Sequence, residues 1–115
     1  MKYELHQLFG PYCMDVADAQ VLYDRIHPEI LAGNAVEVDC SGVEVFSGPF
    51  LSTAFGQLYR DISPEQIDCL LAITHVTSLA QGLLQRVMAN ARRYYTDPAY
   101  RAAVDHVTLA LSEEA

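Results

Sequence analysis

The sequence predicts an α/β fold, with a single-layer, mostly parallel sheet of about four strands and helices packed on it. Strand-like segments at 2–9, 36–40 and 68–76 are separated by amphipathic segments with the 3.6-residue period of helices. The resulting order of strand, helix, strand, helix, strand, helix is typical of parallel strands joined by right-handed crossovers. A length of 115 residues with 51% hydrophobic content suffices for one domain, residues 1–115, around one core.

The first strand and the first helix are predicted in the amino-terminal third of the chain. Residues 2–9 alternate and indicate a strand, and turn residues follow it. Asp15 is the expected N-cap of the helix, because its carboxylate accepts a hydrogen bond from an otherwise unpaired N–H group. Pro28 interrupts the helical stripe, so either the helix kinks there or a second short helix begins after His27.

The central unit, residues 35–62, is a strand, a tight connection and an amphipathic helix. Apolar and acidic residues alternate over 36–40, a turn follows, and Val43 and Val45 form a small extended piece. A proline at 49 suits the first turn of a helix that the residue at 47 or 48 caps. The predicted apolar face of this helix is Phe50, Leu51, Ala54, Phe55, Leu58 and Ile62.

This central stretch, VEVDCSGVEVFSGPFLSTAFGQLYRDI, resembles the STAS-like domains of bacteria, relatives of anti-sigma-factor antagonists and of the cytoplasmic domains of sulfate transporters. The similarity lies in an alternating strand that ends in Asp, a Ser-Gly-Val-Glu turn, a hydroxyl-rich elbow and a helix. It implies a regulatory role in protein–protein recognition, with docking to a histidine-kinase-like ATPase in a partner-switching pair. The docking surface that it implies is the elbow and the exposed face of the helix, namely Ser47, Gly48, Pro49, Ser52, Thr53, Gln57 and Arg60.

The phosphorylation position of the antagonists differs in this chain. The antagonists carry an Asp-Ser-Ser-Gly run at the helix start, and a partner kinase phosphorylates its first serine. An ungapped alignment places Ser47 at the position of the Asp and Gly48 at the position of the phosphorylated serine. Ser47, Ser52 or Thr53 would replace the missing hydroxyl only if the elbow were shifted.

The carboxy-terminal half is predicted to contain a strand and two helices. Residues 63–66 indicate a capped turn of helix or a loop, and the apolar run 68–76 indicates a strand buried on both faces. Thr77 or Ser78 caps the next helix, and Asp97-Pro98 begins another. The alternation over 107–111 favours an edge strand over the end of a helix.

The carboxyl ends of the predicted strands carry the residues most suited to ligand chemistry. In parallel sheets such groups gather at one edge, which here would hold Asp39, Ser41, Ser47 and His75. A small-molecule or nucleotide sensor at this edge is therefore the alternative function. The amino end of the central helix, beside Gly48, is a generic anion site unless Ser47 simply caps it.

Catalytic, metal and cofactor sites are not expected. Asp39 and His75, with Ser41 or Ser47, match the residue types of a hydrolytic triad, but no Gly-x-Ser-x-Gly elbow surrounds any serine. The histidines are scattered, and no Cys or His pair has ligand spacing. The three cysteines fit reduced thiols: Cys40 and Cys69 are predicted in strands as small buried residues, and Cys13 is predicted in a loop.

Charge and aromatic residues restrict the partners. A net charge of −8 argues against nucleic-acid binding, and the arginine cluster, Arg86, Arg92, Arg93 and Arg101, fits a solvated helix face. Neither a signal peptide nor a membrane span is visible, so a cytoplasmic location is expected. The tyrosines 59, 94, 95 and 100 form either an aromatic interface or the edge of the core, and a homodimer is compatible with every interpretation.

Overall fold

The computed structural model describes the backbone of residues 1–114 and the side chains of residues 1–107. Its strands are β1 Lys2–Glu4, β2 Tyr12–Cys13, β3 Val36–Asp39, β4 Val45–Phe46 and β5 Leu71–Thr74. Its helices are α1 Leu5–Phe9, α2 Val16–Leu31, α3 Gly48–Ala54, α4 Pro64–Leu70, α5 Ser78–Thr96 and α6 Pro98–Glu114. A 3₁₀ helix, Gly56–Arg60, follows α3.

The strands form two parallel sheets. The larger sheet has the order β1-β3-β5, and Val38 in its middle strand pairs with Tyr3 on one side and Ile73 on the other. The smaller sheet joins β2 to β4. The predicted α/β class with mostly parallel strands is thus confirmed, although the strands divide between a three-stranded and a two-stranded sheet.

The core lies between the larger sheet and the helices. Val36 and Val38 are buried, whereas the alternate residues Glu37 and Asp39 lie on the opposite side of β3 because successive side chains in a strand point to opposite faces. The predicted apolar face of the central helix is confirmed, since all six of its residues are buried. The helical segment changes from α3 to the 3₁₀ helix after Phe55.

Hydroxyl and carboxylate caps set several of the helix starts, as expected. Asp15 accepts a hydrogen bond from the N–H of Ala17, and Thr77 accepts one from the N–H of Ala80. Pro28 lies within one continuous helix, so no second helix begins after His27. Each cap satisfies a donor that has no partner inside its helix, which fixes where that helix begins.

The predicted first strand is too long. Only Lys2–Glu4 is extended, and Leu5–Phe9 forms a one-turn helix that ends at Gly10, where φ is 81°. Leu5 is fully buried and Phe9, four residues later, is packed against the core. Two apolar residues that lie four positions apart suit a helical turn. Alternation over so few residues is therefore compatible with a short helix as well as with a strand.

The predicted strand 68–76 is also wrong at both ends. Ser63 caps α4, which runs to Leu70, and β5 covers only Leu71–Thr74. Cys69 is consequently an exposed helical residue and not a buried strand residue. The strand is not buried on both faces either, since Ala72 is exposed. One continuous apolar run spans the end of a helix and the start of a strand, which periodicity does not separate.

The preference for an edge strand at 107–111 is wrong, because α6 runs through these residues. Asp97 caps this helix by accepting hydrogen bonds from the N–H groups of Ala99 and Tyr100. The sequence from 99 to 114 contains neither glycine nor proline, so nothing ends the helix once it has begun. Within residues 1–114, no helix has both the length and the apolar character needed to cross a bilayer.

Candidate functional site

Parallel strands bring three of the predicted ligand residues together at the carboxyl end of the larger sheet. Asp39 ends β3 and pairs in register with Thr74, the last residue of β5. Asp39 Oδ1 accepts hydrogen bonds from the Ser41 backbone N–H (2.9 Å) and the Ser41 hydroxyl (2.7 Å). His75 Nδ1 lies 3.1 Å from the same oxygen. We call Lys2, Glu37, Asp39, Ser41, Thr74 and His75 the strand-end cluster.

The electrostatics of the strand-end cluster stabilise an ionised Asp39. Its second oxygen, Oδ2, lies 3.4 Å from Lys2 Nζ. The hydrogen bonds from the Ser41 hydroxyl and N–H are the main cause that holds the pKa of Asp39 well below its ordinary value, and Lys2 and His75 add to this effect against the opposing effect of burial. A carboxylate with donors on both oxygens acts as a structural link between three strands.

Glu37 extends the strand-end cluster along the same face of β3. Its Oε2 accepts a hydrogen bond from the Thr74 hydroxyl at 2.9 Å. Ligand atoms of Glu37, Asp39 and His75 lie within 4.8 Å of one another, so these three residues could hold a metal ion. Such an ion would compete with the Lys2 ammonium for Asp39. Sequence reasoning missed Glu37, although its position two residues before Asp39 places both on one face.

The strand-end cluster does not have the connectivity of a hydrolytic triad. In a triad the serine hydroxyl is hydrogen-bonded to the imidazole, which removes its proton. Here the Ser41 hydroxyl donates to Asp39, and the hydrogen bonds of the described residues include none between a serine and His75. Asp39 therefore lies between the two groups that would have to meet.

Ser47 lies in the elbow before α3 and contacts a different part of the chain. Its hydroxyl donates to the Met14 carbonyl at 3.2 Å and accepts from the Phe50 N–H at 3.1 Å, while its own N–H donates to the Cys13 carbonyl. Ser47 therefore caps the helix, one of the two alternatives that the sequence left open. Gly48 and the exposed Pro49 form the first turn of α3.

A groove between two pairs of helical elements contains three further residues of the predicted docking face, Ser52, Thr53 and Gln57. It has a volume of about 410 Å³ and lies between α3 with the 3₁₀ helix and α5 with α6. We call it the tyrosine groove; its lining residues are Ser52, Thr53, Gly56, Gln57, Val87, Asn90, Ala91, Tyr94, Tyr95, Tyr100 and Val104. Three docking residues and three of the four tyrosines singled out by the sequence thus meet. Tyr59 is buried in the core instead.

Close packing of the 3₁₀ helix on α5 forms the floor of the tyrosine groove. A Cβ atom at Gly56 would lie 3.2 Å from the Ala91 Cβ, so only glycine permits this approach without a shift. Gln57 Nε2 donates to the Thr53 carbonyl at 2.8 Å and to Gln20 Oε1 at 3.3 Å, which fixes its amide at the rim. Arg60, at the end of the 3₁₀ helix, is exposed but is not a lining residue.

Arginines stack on the tyrosines at the α5–α6 side of the tyrosine groove. Arg93 Cζ lies 4.2 Å from the centroid of the Tyr100 ring, and Arg101 Cζ lies 5.3 Å from that of Tyr94. The Tyr94 hydroxyl donates to Asp105 at 2.6 Å, and this hydrogen bond is the main cause that raises the pKa of Tyr94. These contacts hold α6 against α5 and present guanidinium groups beside the aromatic rings.

Comparisons with known proteins identify the family. A profile of the family described as "STAS-like domain of unknown function (DUF4325)" matches residues 18–80, more than half of the chain. The match covers the elbow and most of the strand-end cluster, whereas Tyr94, Tyr95 and Tyr100 lie beyond it. Comparison with curated proteins and with solved structures finds no match. The resemblance seen in the central stretch is confirmed, and the chain belongs to this family of STAS-like domains.

Proposed function

We propose that the chain is a non-enzymatic regulatory module that recognises another protein through the elbow and the tyrosine groove. The observation that carries this proposal is the meeting of Ser52, Thr53 and Gln57 with three tyrosines in one exposed groove. None of the eleven lining residues is charged. Tyrosine enrichment and charge depletion are typical of the central part of protein–protein interfaces.

The chemistry of the strand-end cluster supports a role without catalysis. Asp39 is 7% exposed and receives donors on both oxygens, and Ser41 uses its hydroxyl on that carboxylate. Polar groups that satisfy one another inside a fold stabilise it and leave little capacity for a substrate. The exposed groups of the tyrosine groove are better suited to recognition.

The resemblance to STAS-like domains favours a histidine-kinase-like ATPase as the partner and the cytoplasm as the place of action. A glycine replaces the usual phosphorylated serine, and the Ser47 hydroxyl is engaged with Met14 and Phe50. We therefore propose docking without phosphorylation at the usual position. Phosphate found on Ser52 or Thr53 in the partner complex would instead indicate a shifted switch.

The experiment that tests this function is quantitative affinity purification from the native host, followed by binding measurements with the purified captured protein. The wild-type chain is compared with the double variant Ser52→Glu/Arg60→Glu, which changes the charge of the predicted docking face. We expect the partner to bind the wild type and to lose at least about tenfold in affinity for the variant, as at an interface hot spot.

The matched control for this experiment is Gln7→Glu/Arg25→Glu, which makes the same charge change on α1 and α2, outside the docking face. Circular dichroism establishes that all three proteins are folded. Equal binding by the wild type and both variants would show that the docking face is assigned to the wrong surface. A chain that captures no specific partner would contradict the proposed function as a whole.

The second candidate function is a sensor of a small molecule or nucleotide at the strand-end cluster. The observation in its favour is the closeness of Glu37, Asp39 and His75, of which the His75 side chain is 63% exposed. A ligand there would have to replace the donors that Asp39 already has. A thermal shift with a nucleotide or metal ion that disappears in His75→Ala would favour the sensor over the docking module.

A further inference from the structure

Charge is distributed unevenly around the tyrosine groove. The elements α3, the 3₁₀ helix and α5 contain four arginines and no acidic residue, in a chain that has 15 acidic and 7 basic residues. The helix α6 adds Arg101 together with three acidic residues. With Asp97, which joins α5 to α6, these elements contain five arginines and four acidic residues, a net charge of +1, whereas the remainder of the chain carries a net charge of −9.

Two of the five arginines are not lining residues but stack on tyrosines that line the groove, which places them at its rim. Arg93 stacks on Tyr100 and Arg101 on Tyr94, and both side chains are more than half exposed. Each guanidinium group forms a long, solvent-exposed ion pair, since Arg93 Nε is 3.9 Å from Asp97 Oδ2 and Arg101 Nε is 4.0 Å from Asp105 Oδ2. Exposed pairs of this length contribute little, so both guanidinium groups can take another carboxylate.

The interior of the tyrosine groove suits apolar side chains. Tyr94, Tyr95, Tyr100 and Val104 are half-buried, which leaves part of each ring or methyl surface to solvent. The volume of about 410 Å³ falls in the range of pockets that hold a ligand or an anchor residue. A groove between helices with apolar walls is the usual receptor for an amphipathic segment.

We propose that the tyrosine groove binds an acidic amphipathic segment of a partner protein, with apolar side chains among the tyrosines and carboxylates on Arg93 and Arg101. This inference rests on the proposed function and adds the chemistry of the partner. The charge asymmetry favours an acidic occupant, since the arginines of the 3₁₀ helix and α5 attract such a segment and the acidic remainder of the chain repels it. Association should consequently weaken as salt screens the charges.

The test uses three fluorescein-labelled peptides of about 16 residues, the length of a short amphipathic helix. One has leucine and phenylalanine at helical spacing with glutamate on the other face, the second has lysine in place of glutamate, and the third has serine in place of the apolar residues. Fluorescence anisotropy follows titration with the full chain at about 50 and about 300 mM NaCl. We expect the acidic amphipathic peptide to bind at least about tenfold tighter than the other two, and more weakly at high salt.

Variants localise the binding. Arg93→Glu and Arg101→Glu should each weaken binding of the acidic peptide several-fold and reduce the salt dependence of that binding. Tyr100→Ala should also weaken binding, because it removes an apolar wall of the groove. Arg25→Glu makes the same charge change on α2, a helix that contributes no residue to the groove lining, and should bind like the wild type. Circular dichroism and sedimentation velocity establish the fold and the oligomeric state of each protein.

The outcomes that would contradict this inference differ from those that would contradict the proposed function. The acidic-segment inference would be overturned if the acidic and lysine peptides bound equally, if no peptide bound, or if neither Arg93→Glu nor Arg101→Glu changed the binding. Dimerisation of the free chain that depends on Arg93 would show that a second copy occupies the groove instead. If the captured partner still lost affinity for Ser52→Glu/Arg60→Glu, the docking function would survive while this inference failed.

Discussion

The strand-end cluster and the tyrosine groove both depend on the central strand–helix unit, yet they use their polar residues in opposite ways. In the cluster, Asp39 takes hydrogen bonds from Ser41 and a contact from Lys2, and the members satisfy one another. In the groove, Ser52 and Asn90 are exposed and the tyrosines are half-buried. The comparison teaches that a group of chemically versatile residues indicates a binding site only where these residues remain accessible to a partner.

The largest loss of stability is expected for a substitution in the hydrophobic core that supports both the strand-end cluster and the tyrosine groove. Phe50 is fully buried and its ring lies 6.1 Å from those of Phe9 and Phe46, so Phe50→Ala leaves a cavity. We expect the free energy of unfolding to fall by about 3–5 kcal/mol, measured by urea denaturation, with both regions lost together. The control Leu79→Ala, at a side chain 90% exposed, should change it by less than about 0.5 kcal/mol.

The next largest effect is on the pH dependence of stability, which we expect to depend on the strand-end cluster and not on the tyrosine groove. Because the folded-state pKa of Asp39 is lowered, its contribution to stability is present above the ordinary pKa of about 4 and is lost as pH falls below that value. Asp39→Asn should lower the melting temperature at neutral pH and flatten its decrease in acid, while peptide binding in the groove is retained. The exposed control Glu65→Gln should keep the wild-type profile. An unchanged acid profile in Asp39→Asn would contradict the structural role of the carboxylate.

A smaller effect is expected at the elbow. Ser47→Ala removes the acceptor of the Phe50 N–H and should cost about 1 kcal/mol of stability, as is typical of a lost N-cap. Ser52→Ala on the exposed face of the same helix should stay within about 0.5 kcal/mol of the wild type. Chemical denaturation of both variants measures the difference. Equal stability of the two would mean that the cap does not hold the start of α3.

The smallest effect is expected in thiol labelling, which reports whether the strand-end cluster becomes accessible to solvent. Burial raises the pKa of Cys40, next to Asp39, to about 12, and that of Cys13 to about 11, whereas Cys69 is exposed. A maleimide at neutral pH should label Cys69 alone, as followed by mass spectrometry. Rapid labelling of Cys40 would show that the cluster opens and would favour the sensor function.

The sequence predicted those parts of the fold whose signals are local. Asp15 caps its helix as predicted, Ser47 and Thr77 are each one of the two cap residues that the sequence allowed, and the face of the central helix that was predicted to be buried is buried. The predictions failed at 2–9, 68–76 and 107–111, where short apolar patterns fit a helix and a strand equally well. At each of these places capping or packing of the neighbouring element, and not periodicity, decides the structure.

The strand-end cluster could be predicted from the sequence to a greater extent than the tyrosine groove, and the reason is again physical. Asp39 and His75 follow parallel strands, so topology alone brings them to one edge. The tyrosine groove depends on the close approach of the 3₁₀ helix to α5, where Gly56 lies against Ala91, 35 positions later in the chain. Sequence patterns singled out Ser52 and Tyr94 separately but contain no information on that packing.

The most direct test of the central claim is NMR mapping of the captured partner on the isotope-labelled chain. If the groove is the docking site, amide signals of Ser52, Gln57 and Tyr94 shift or broaden as partner is added, and those of Asp39 and Ser41 do not change. Changes centred on Asp39 and Ser41, with the groove signals unaffected, would contradict the account and assign recognition to the strand-end cluster.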